Sequence, residues 1–444
     1  MYADGTICDS SGERRNIPLD SSSGNLVEQL YRIQSLDYGF NLSKTNINQF
    51  GNAARIGTAV VDAPVVDLSF NYFLADAYNE LLLDFAIDGE HQALYQMLGE
   101  TVSDRTTEAK NYHILVGPPN DDVNDTNLTT KESEQAVISI GQGYITQYTV
   151  TAAVGEIPSA QISIQGSNMK SDTGFQNILH PGPSDCGYTR NCEYCFSLPD
   201  PVTNILYSTL VSGESGCCEQ ITTGVNALLP GDICINLRNS SLLSQQINRT
   251  GSGVCSLTAN CEEDPGSAHI QGFQISADLT RSSLDKLGRH TAYYQSVNVP
   301  ASVELSVDAL VSDLKVGNLQ SYLCSSGLKD IEIVLYPPCG GSNDCSVTAI
   351  EPNMIYKLKC AKLESEGFQS AIGNNKTVRL TFSAPIGGRT DTECGFFMSG
   401  RAAGLASYIK RERQTGYCID YITRSIPLAT GSCSFIKTEK QRGT

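Results

Sequence analysis

The feature that most constrains this chain is an internal repeat. Residues Ile33 to Gly51 read again as Ile270 to Gly288, an offset of 237 (270 − 33) with no gap. Few positions are identical, but the exchanges keep chemistry: Ser43/Thr280, Lys44/Arg281, Ile47/Leu284, Asn48/Asp285 and Phe50/Leu287. The register holds into the next stretch, where Val66-Asp67-Leu68-Ser69-Phe70-Asn71 matches Val303-Glu304-Leu305-Ser306-Val307-Asp308. Lys110 to Val116, before Pro118-Pro119, matches Lys329 to Leu335 before Pro337-Pro338, at 219 (337 − 118). Tyr148 to Ile164 then matches Glu366 to Phe382 at 218 (373 − 155), aligned on Gly155 and Gly373. Offsets that hold within strands and shrink at loops imply a tandem domain duplication.

Hydrophobic periodicity gives the fold class. Leu36, Tyr38, Phe40 and Leu42 alternate with polar residues, as do Val66, Leu68, Phe70 and Tyr72, the period-two signature of half-buried strands. Tyr112 to Val116 is a short buried strand, and Tyr144–Val154 and Gln161–Gln165 are strands around a turn at Gly155 to Pro158. Phe273, Ile275 and Leu279 point inward in the second copy. Residues 78–98 read as a helix, from the mixed i+3 and i+4 spacing of Leu81, Leu82, Phe85, Leu94 and Met97, with Gly89 interrupting it. The expectation is a mainly β chain: two tandem sandwich or barrel modules, each with a short flanking helix, plus a Cys-rich connector. Residues 1–174 form the first module, 175–268 the connector, 269–400 the second module and 401–444 a C-terminal extension. Within the connector, Asp232 to Leu237 reads as a strand that can be assigned to the first module.

Charge narrows the function. The net charge of −17 argues against tight, sequence-independent nucleic-acid binding, which needs phosphate-neutralising cations. The extension is locally basic, with eight Lys/Arg against three Asp/Glu; such a tail is a solvated extension or a docking arm. Outward strand positions carry Ser, Thr, Asn, Gln, Asp and Glu. A sheet wet on one side reads this way, and so does one lining a hydrated channel. The first residues lack the layout of a secretory signal, and no apolar run approaches the roughly 20 residues of a membrane span. The expectation is a chain made in a cytoplasm, with no membrane partner.

Sixteen cysteines sit awkwardly with that compartment. They avoid the matched strand blocks and concentrate in connecting segments. Cys186, Cys192, Cys195, Cys217, Cys218, Cys255, Cys261, Cys339 and Cys345 are disulfide candidates. Structural disulfides, loop thiols, intersubunit bridges, a zinc site and a redox CxxC at Cys192–Cys195 all stay open, although Pro181, Pro183, Pro199 and Pro201 give that motif a loop setting. No catalytic constellation emerges. The five histidines lie outside nucleophile motifs, phosphate-cradling glycine loops are missing, and the Asp121–Asp125 run lacks the glycine and glutamate of a calcium loop. The chain is expected to be no enzyme, with no cofactor and no metal.

Three stretches carry a resemblance: Asp67 to Leu74 with Asn79-Glu80; Lys110 to Val116; and Ile140-Gly141-Gln142-Gly143-Tyr144-Ile145 continuing through Val154 to Pro158 and Ile162 to Ile164. Val303 to Leu310 and Phe368 to Asn374 carry it in the second copy. Over about 60% of its length the chain resembles the tail tube proteins of tailed bacteriophages. The resemblance implies a virion protein, assembled in a host cytoplasm, whose strands join those of neighbours into an inner barrel. Rings of six modules would stack into a tube that conducts double-stranded DNA, here three chains per ring. Implied partners are further copies and other tail proteins (tape measure, terminator, baseplate, and a sheath where the tail contracts). Polar Thr149, Thr151, Gln161, Ser163 and Gln165 are then the lumen-facing candidates, because a conduit should not adhere to its cargo. Alternatives are a distal-tail or baseplate ring protein of the same fold, and a Cys-rich extracellular adhesin or binding module. The Cys-rich connector and basic extension depart from the tube pattern.

Overall fold

The computed structural model describes residues 1–4, 7–8, 14–15, 27–61, 64–98, 109–118, 135–174, 178–179, 181, 195–196, 198, 228, 230, 233–238, 270–285, 287, 292, 294–310, 328–335, 352–369, 377–388 and 391–400. Four short strands open the chain: β1 (Tyr2–Asp4), β2 (Ile7–Cys8), β3 (Arg14–Arg15) and β4 (Val27–Gln29). The first set of longer elements is β5 (Ile33–Asn41), β6 (Lys44–Ile47), β7 (Gly57–Val60), β8 (Val65–Phe73), α1 (Tyr78–Leu82), β9 (Asp88–Gln92), β10 (Lys110–Val116), β11 (Ala136–Ala153), β12 (Ser159–Gly166) and β13 (Asn168–Thr173). Between the sets lie β14 (Ile178–Leu179), β15 (Cys195–Phe196) and β16 (Ile233–Arg238). The second set is β17 (Ile270–Asp278), β18 (Arg281–Leu284), β19 (Tyr294–Val297), β20 (Ala301–Leu310), β21 (Lys329–Leu335), β22 (Met354–Gln369), β23 (Thr377–Ile386) and β24 (Gly395–Gly400). The protein is mainly β, and every described strand pair is antiparallel.

Two long strands organise the molecule. The first half of β11 pairs with β10 and β13; its second half pairs with β12 and β17. The first half of β22 pairs with β21 and β24, and its second half with β23. The result, among the described residues, is an eight-stranded sheet, β5-β8-β12-β11-β17-β20-β23-β22, joined through β11 and β22 to two smaller sheets. At Gln142 and Cys360, which are 218 apart (360 − 142), the two long strands bend through left-handed backbone, φ 53° and 58°.

The two sets pair in the same order and in matching register. Ile33 opposes Tyr72 and Ile270 opposes Ala309, each residue displaced by 237 (270 − 33; 309 − 72). Thr151 opposes Ser159 and Gln369 opposes Thr377, both displaced by 218 (369 − 151; 377 − 159). The breaks in register coincide too, at Ile145/Gln147 in β11 and Leu363/Ser365 in β22. Even the β6–β7 and β18–β19 hairpins align, Lys44 with Val60 and Arg281 with Val297.

Period-two patterning explains the core. Val66, Leu68, Phe70 and Tyr72 of β8 and Val303, Leu305, Val307 and Ala309 of β20 point inward. All of these except Ala309 pack with Ile162, Val150, Ile275, Phe382, Ile333 and Tyr356 in one apolar cluster spanning all three sheets.

The expected helix over 78–98 is corrected: α1 stops at Leu82, and β9 pairs with β24. Left-handed backbone at Asp84 (φ 67°) and Gly89 (φ 71°) breaks the helix. The apolar residues that suggested it, Phe85, Leu94 and Met97, are buried all the same, from an irregular segment. The sheet edge offered by β24 outcompetes a helix whose periodicity was mixed. A matching helix after β20 would lie outside the described residues. The connector strand β16 pairs with β21, in the second set, which corrects its assignment to the first module. It sits beside β21 through six residue pairs, Ile233–Leu335 to Arg238–Asp330.

Candidate assembly surface

The eight-stranded sheet has one face in the core and one outside it. Along the outer face run rows of hydroxyls and amides. One row passes through Ser159, Thr151, Gln274, Ser306, Thr381 and Ser365, strand by strand. Hydroxyl contacts tie neighbouring strands, Thr151 to Ser159 at 3.2 Å and Thr149 to Ser276 at 3.5 Å. Alternation places each of these groups opposite the core.

Charge on this face is sparse and mainly acidic. Among the described residues, Asp37, Asp67, Asp278, Glu304 and Asp308 share it with Arg379 and Lys362, and Arg281 of β18 lines a cleft beside Asp67, Gln165 and Asp278. The Arg379 guanidinium is committed to Asp308, donating two hydrogen bonds of 2.8 Å, and this pairing raises its pKa further. A polyanion passing over the face would therefore meet neutral dipoles and carboxylates, and few free cations.

The five sequence-nominated polar residues all lie on this face. Thr149 opposes Gln161, Thr151 opposes Ser159, and Ser163 and Gln165 oppose Ser69 and Asp67. Val150, Ile162 and Ile164, between them in sequence, are buried on the other side.

The cysteine expectations fare differently. Cys186, Cys192, Cys217, Cys218, Cys255, Cys261, Cys339 and Cys345 lie outside the described residues, and Cys195 lies in β15. A disulfide outside the sequence candidates joins Cys360, at the bend of β22, to Cys394, just before β24, with Cα atoms 5.1 Å apart. Sequence gave no sign of it, since the two residues are 34 apart and share no motif.

Periodicity also missed a polar cluster inside the core. The Tyr72 hydroxyl donates to Glu80 Oε1 at 2.8 Å, and the Tyr148 hydroxyl to the same oxygen at 3.3 Å. Burial pushes the Glu80 carboxyl above its ordinary range, and burial likewise raises Tyr72, Tyr148 and Tyr356. His113 is also buried, with Nδ1 2.8 Å from the Ser139 hydroxyl, a structural contact inside the sheet. His91, expected on a helix, sits on β9 with Nδ1 2.7 Å from Asp88. Among the described residues, no group of three or more His, Cys, Asp or Glu side chains is arranged to hold a metal, and no helix is long and apolar enough to cross a membrane.

No family model and no curated protein matches the chain. Among solved structures it is similar to a chain of the anti-feeding prophage (AFP) baseplate, a cryo-electron microscopy structure symmetrised 6-fold. The identity is 15% and the TM-score 0.19, over 30% of this chain and 80% of that one.

Proposed function

We propose that this protein is a structural, non-enzymatic component of a phage tail-type particle, a tandem duplication whose copies assemble into a tube conducting double-stranded DNA. The observation that carries the reading is the outer face of the eight-stranded sheet, a continuous hydroxyl, amide and carboxylate surface. A duct for DNA needs such a wall, because each lysine exposed to the cargo would release counterions and hold it. The parallel strand registers support the duplication. They also make each chain two quasi-equivalent units, which suits closed cyclic assembly.

A ring of three chains has room for the duplex. Eight strands per chain make about 24 around a ring, which at about 4.8 Å apart gives a circumference near 115 Å and a backbone diameter near 37 Å before strand tilt widens it. Side chains lining the wall take about 5 Å on each side, half the usual sheet-to-sheet spacing. The remaining bore exceeds the roughly 20 Å of a duplex. Other tail components would cap and surround the tube, and the particle would be the protein's final location.

Negative-stain microscopy of the purified protein tests the proposal. Stacked rings or hollow filaments with a central stain-filled channel are expected. Solid fibres, or single chains at concentrations of about 100 µM, a range where weak assembly already shows, would overturn it.

A further inference from the structure

The two strand sets differ in their small sheets, and a covalent bond sits at the difference. β13 runs along the first half of β11 as β24 runs along the first half of β22, with Gly141 opposite Asn168 in one and Lys359 opposite Gly395 in the other. Among the described residues β13 pairs only with β11, whereas β24 carries a second partner on its far side, β9 of the first set. The next positions outward are Gln142 and Ser167 in the first set, and Cys360 and Cys394 in the second. Among the described residues, the strand that must hold a segment of the other set is thus the one tied down by a disulfide.

The tie reaches β9 through one side chain. Gln92, at the end of β9, donates from Nε2 to the carbonyls of Asp391 (3.1 Å) and Cys394, and its Oε1 accepts from the Phe396 amide at 3.1 Å. Asp391 shapes the same turn, its Oδ1 accepting from the amides of Glu393 at 2.9 Å and Cys394 at 3.2 Å. Gly395 has φ 133°, and a Cβ there would run into the Gln92 amide, so the turn closes tightly on this side chain. Beyond it the β9–β24 pairing is short, Phe397 with Gln92 and Ser399 with Asp88 across a break in register, with one further bond from the Ala93 amide to the Phe396 carbonyl at 2.7 Å. A contact this short and irregular opens locally unless the strand it rests on is held.

We propose that Cys360 and Cys394 are a redox latch on this junction between the strand sets: as thiols they leave β24 free to peel from β22 and release β9, and as a disulfide they hold both strands. Strand register presets the chemistry, because the position next to Lys359 and Gly395 sets the two Cα atoms 5.1 Å apart, within bridging range. Both cysteines are partly exposed, so a small disulfide in solution reaches them. With oxidised glutathione, one cysteine thiolate attacks the glutathione disulfide and expels a glutathione thiolate. The second cysteine thiolate then attacks the mixed disulfide and expels the other. Two protein thiols are oxidised, one glutathione disulfide is reduced to two thiols, and no other reagent enters. A reducing cytoplasm holds the latch open and an oxidising medium closes it. The latch concerns a single chain and requires no assembly, tubular or otherwise.

Hydrogen exchange on the full chain, read by mass spectrometry, tests the latch. With oxidised glutathione present, thiol blocking and peptide mapping should find Cys360 joined to Cys394. Amides of residues 88–93 and 395–400 should then exchange at least about 10-fold more slowly than in a dithiol reductant. Residues 168–173, in β13, should exchange alike in both states. In the double variant Cys360→Ser with Cys394→Ser, residues 88–93 and 395–400 should keep the fast, reduced rate in either medium, which separates the latch from the other fourteen cysteines (16 − 2). The wild-type comparison decides by itself where the double variant does not fold. A bridge absent after oxidation, equal exchange of residues 88–93 in both states, slowing that extends equally to β13, or a redox response that persists in the double variant would each overturn the proposal.

Discussion

The hydroxyls of Tyr148 and Tyr356 lie 3.0 Å apart in the core, joining β11 of the first strand set to β22 of the second. Tyr148 donates onward to Glu80, so Tyr356 donates to Tyr148, and the relay binds both halves to one carboxyl. A buried network of this kind is strong only while every member is satisfied.

Its titration gives a testable pH dependence. Burial raises the folded-state pKa of Glu80 above the ordinary 4.5. The folded protein therefore binds the proton more tightly than the unfolded chain. The contribution to stability is complete below about pH 4.5 and is lost as pH rises through the folded pKa. Glu80→Gln, which keeps an acceptor for Tyr72 and never ionises, should gain stability relative to the wild type as pH increases. Urea midpoints across pH 4 to 9 measure this, and a constant difference would contradict it.

The Cys360–Cys394 bridge closes a loop over the 34-residue separation. Chain-entropy arguments assign a closed loop of that size about 3–4 kcal/mol. Replacing both cysteines with alanine should lower unfolding free energy by up to that amount under non-reducing conditions. Denaturant titration gives the value; an unchanged midpoint would mean the bridge does not form in solution.

Cations on the polar face should change its adhesion. Thr149→Lys, Gln161→Lys and Ser276→Lys place three ammonium groups on adjacent strands of one row. Assemblies of the triple variant should retain duplex DNA at low salt and release it steeply as salt rises, whereas wild-type assemblies should not retain it. Equal retention by both would contradict the low-adhesion account of this face.

The hairpin tips offer a further check. Phe50 and Leu287 occupy matched positions after β6 and β18, and both are fully exposed. Exposed apolar tips on matched arms fit contacts between successive layers of an assembly. Phe50→Ser with Leu287→Ser should leave thermal stability nearly unchanged and shorten any filaments seen by microscopy. Filaments of normal length would assign the tips no axial role.

Much of the fold was legible because β sheets write their burial in alternation. Val66 to Tyr72 and Val303 to Ala309 revealed inner and outer faces, and the offsets of 237, 219 and 218 recur in the strand registers. The same alternation nominated Thr149, Thr151 and Gln161 for the polar face. It also marked Tyr38 and Phe40 as inward, yet both are exposed, because among the described residues β5 pairs only with β8. What stayed illegible depends on long-range partners. Residues 88–92 became a strand because β24 lies beside them, and Cys360 met Cys394 because β22 bends at its left-handed residue. The Glu80 relay was hidden for the same reason, since its tyrosines come from three strands far apart in sequence.

A cryo-electron microscopy map of the assembled wild-type protein tests the central claim most directly. The account predicts a hollow ring of three chains with a continuous inner wall of about 24 strands, and Thr149 and Ser276 facing the bore. Six chains at one level, a bore too narrow for a duplex, or the Val150 face turned toward the channel would contradict it.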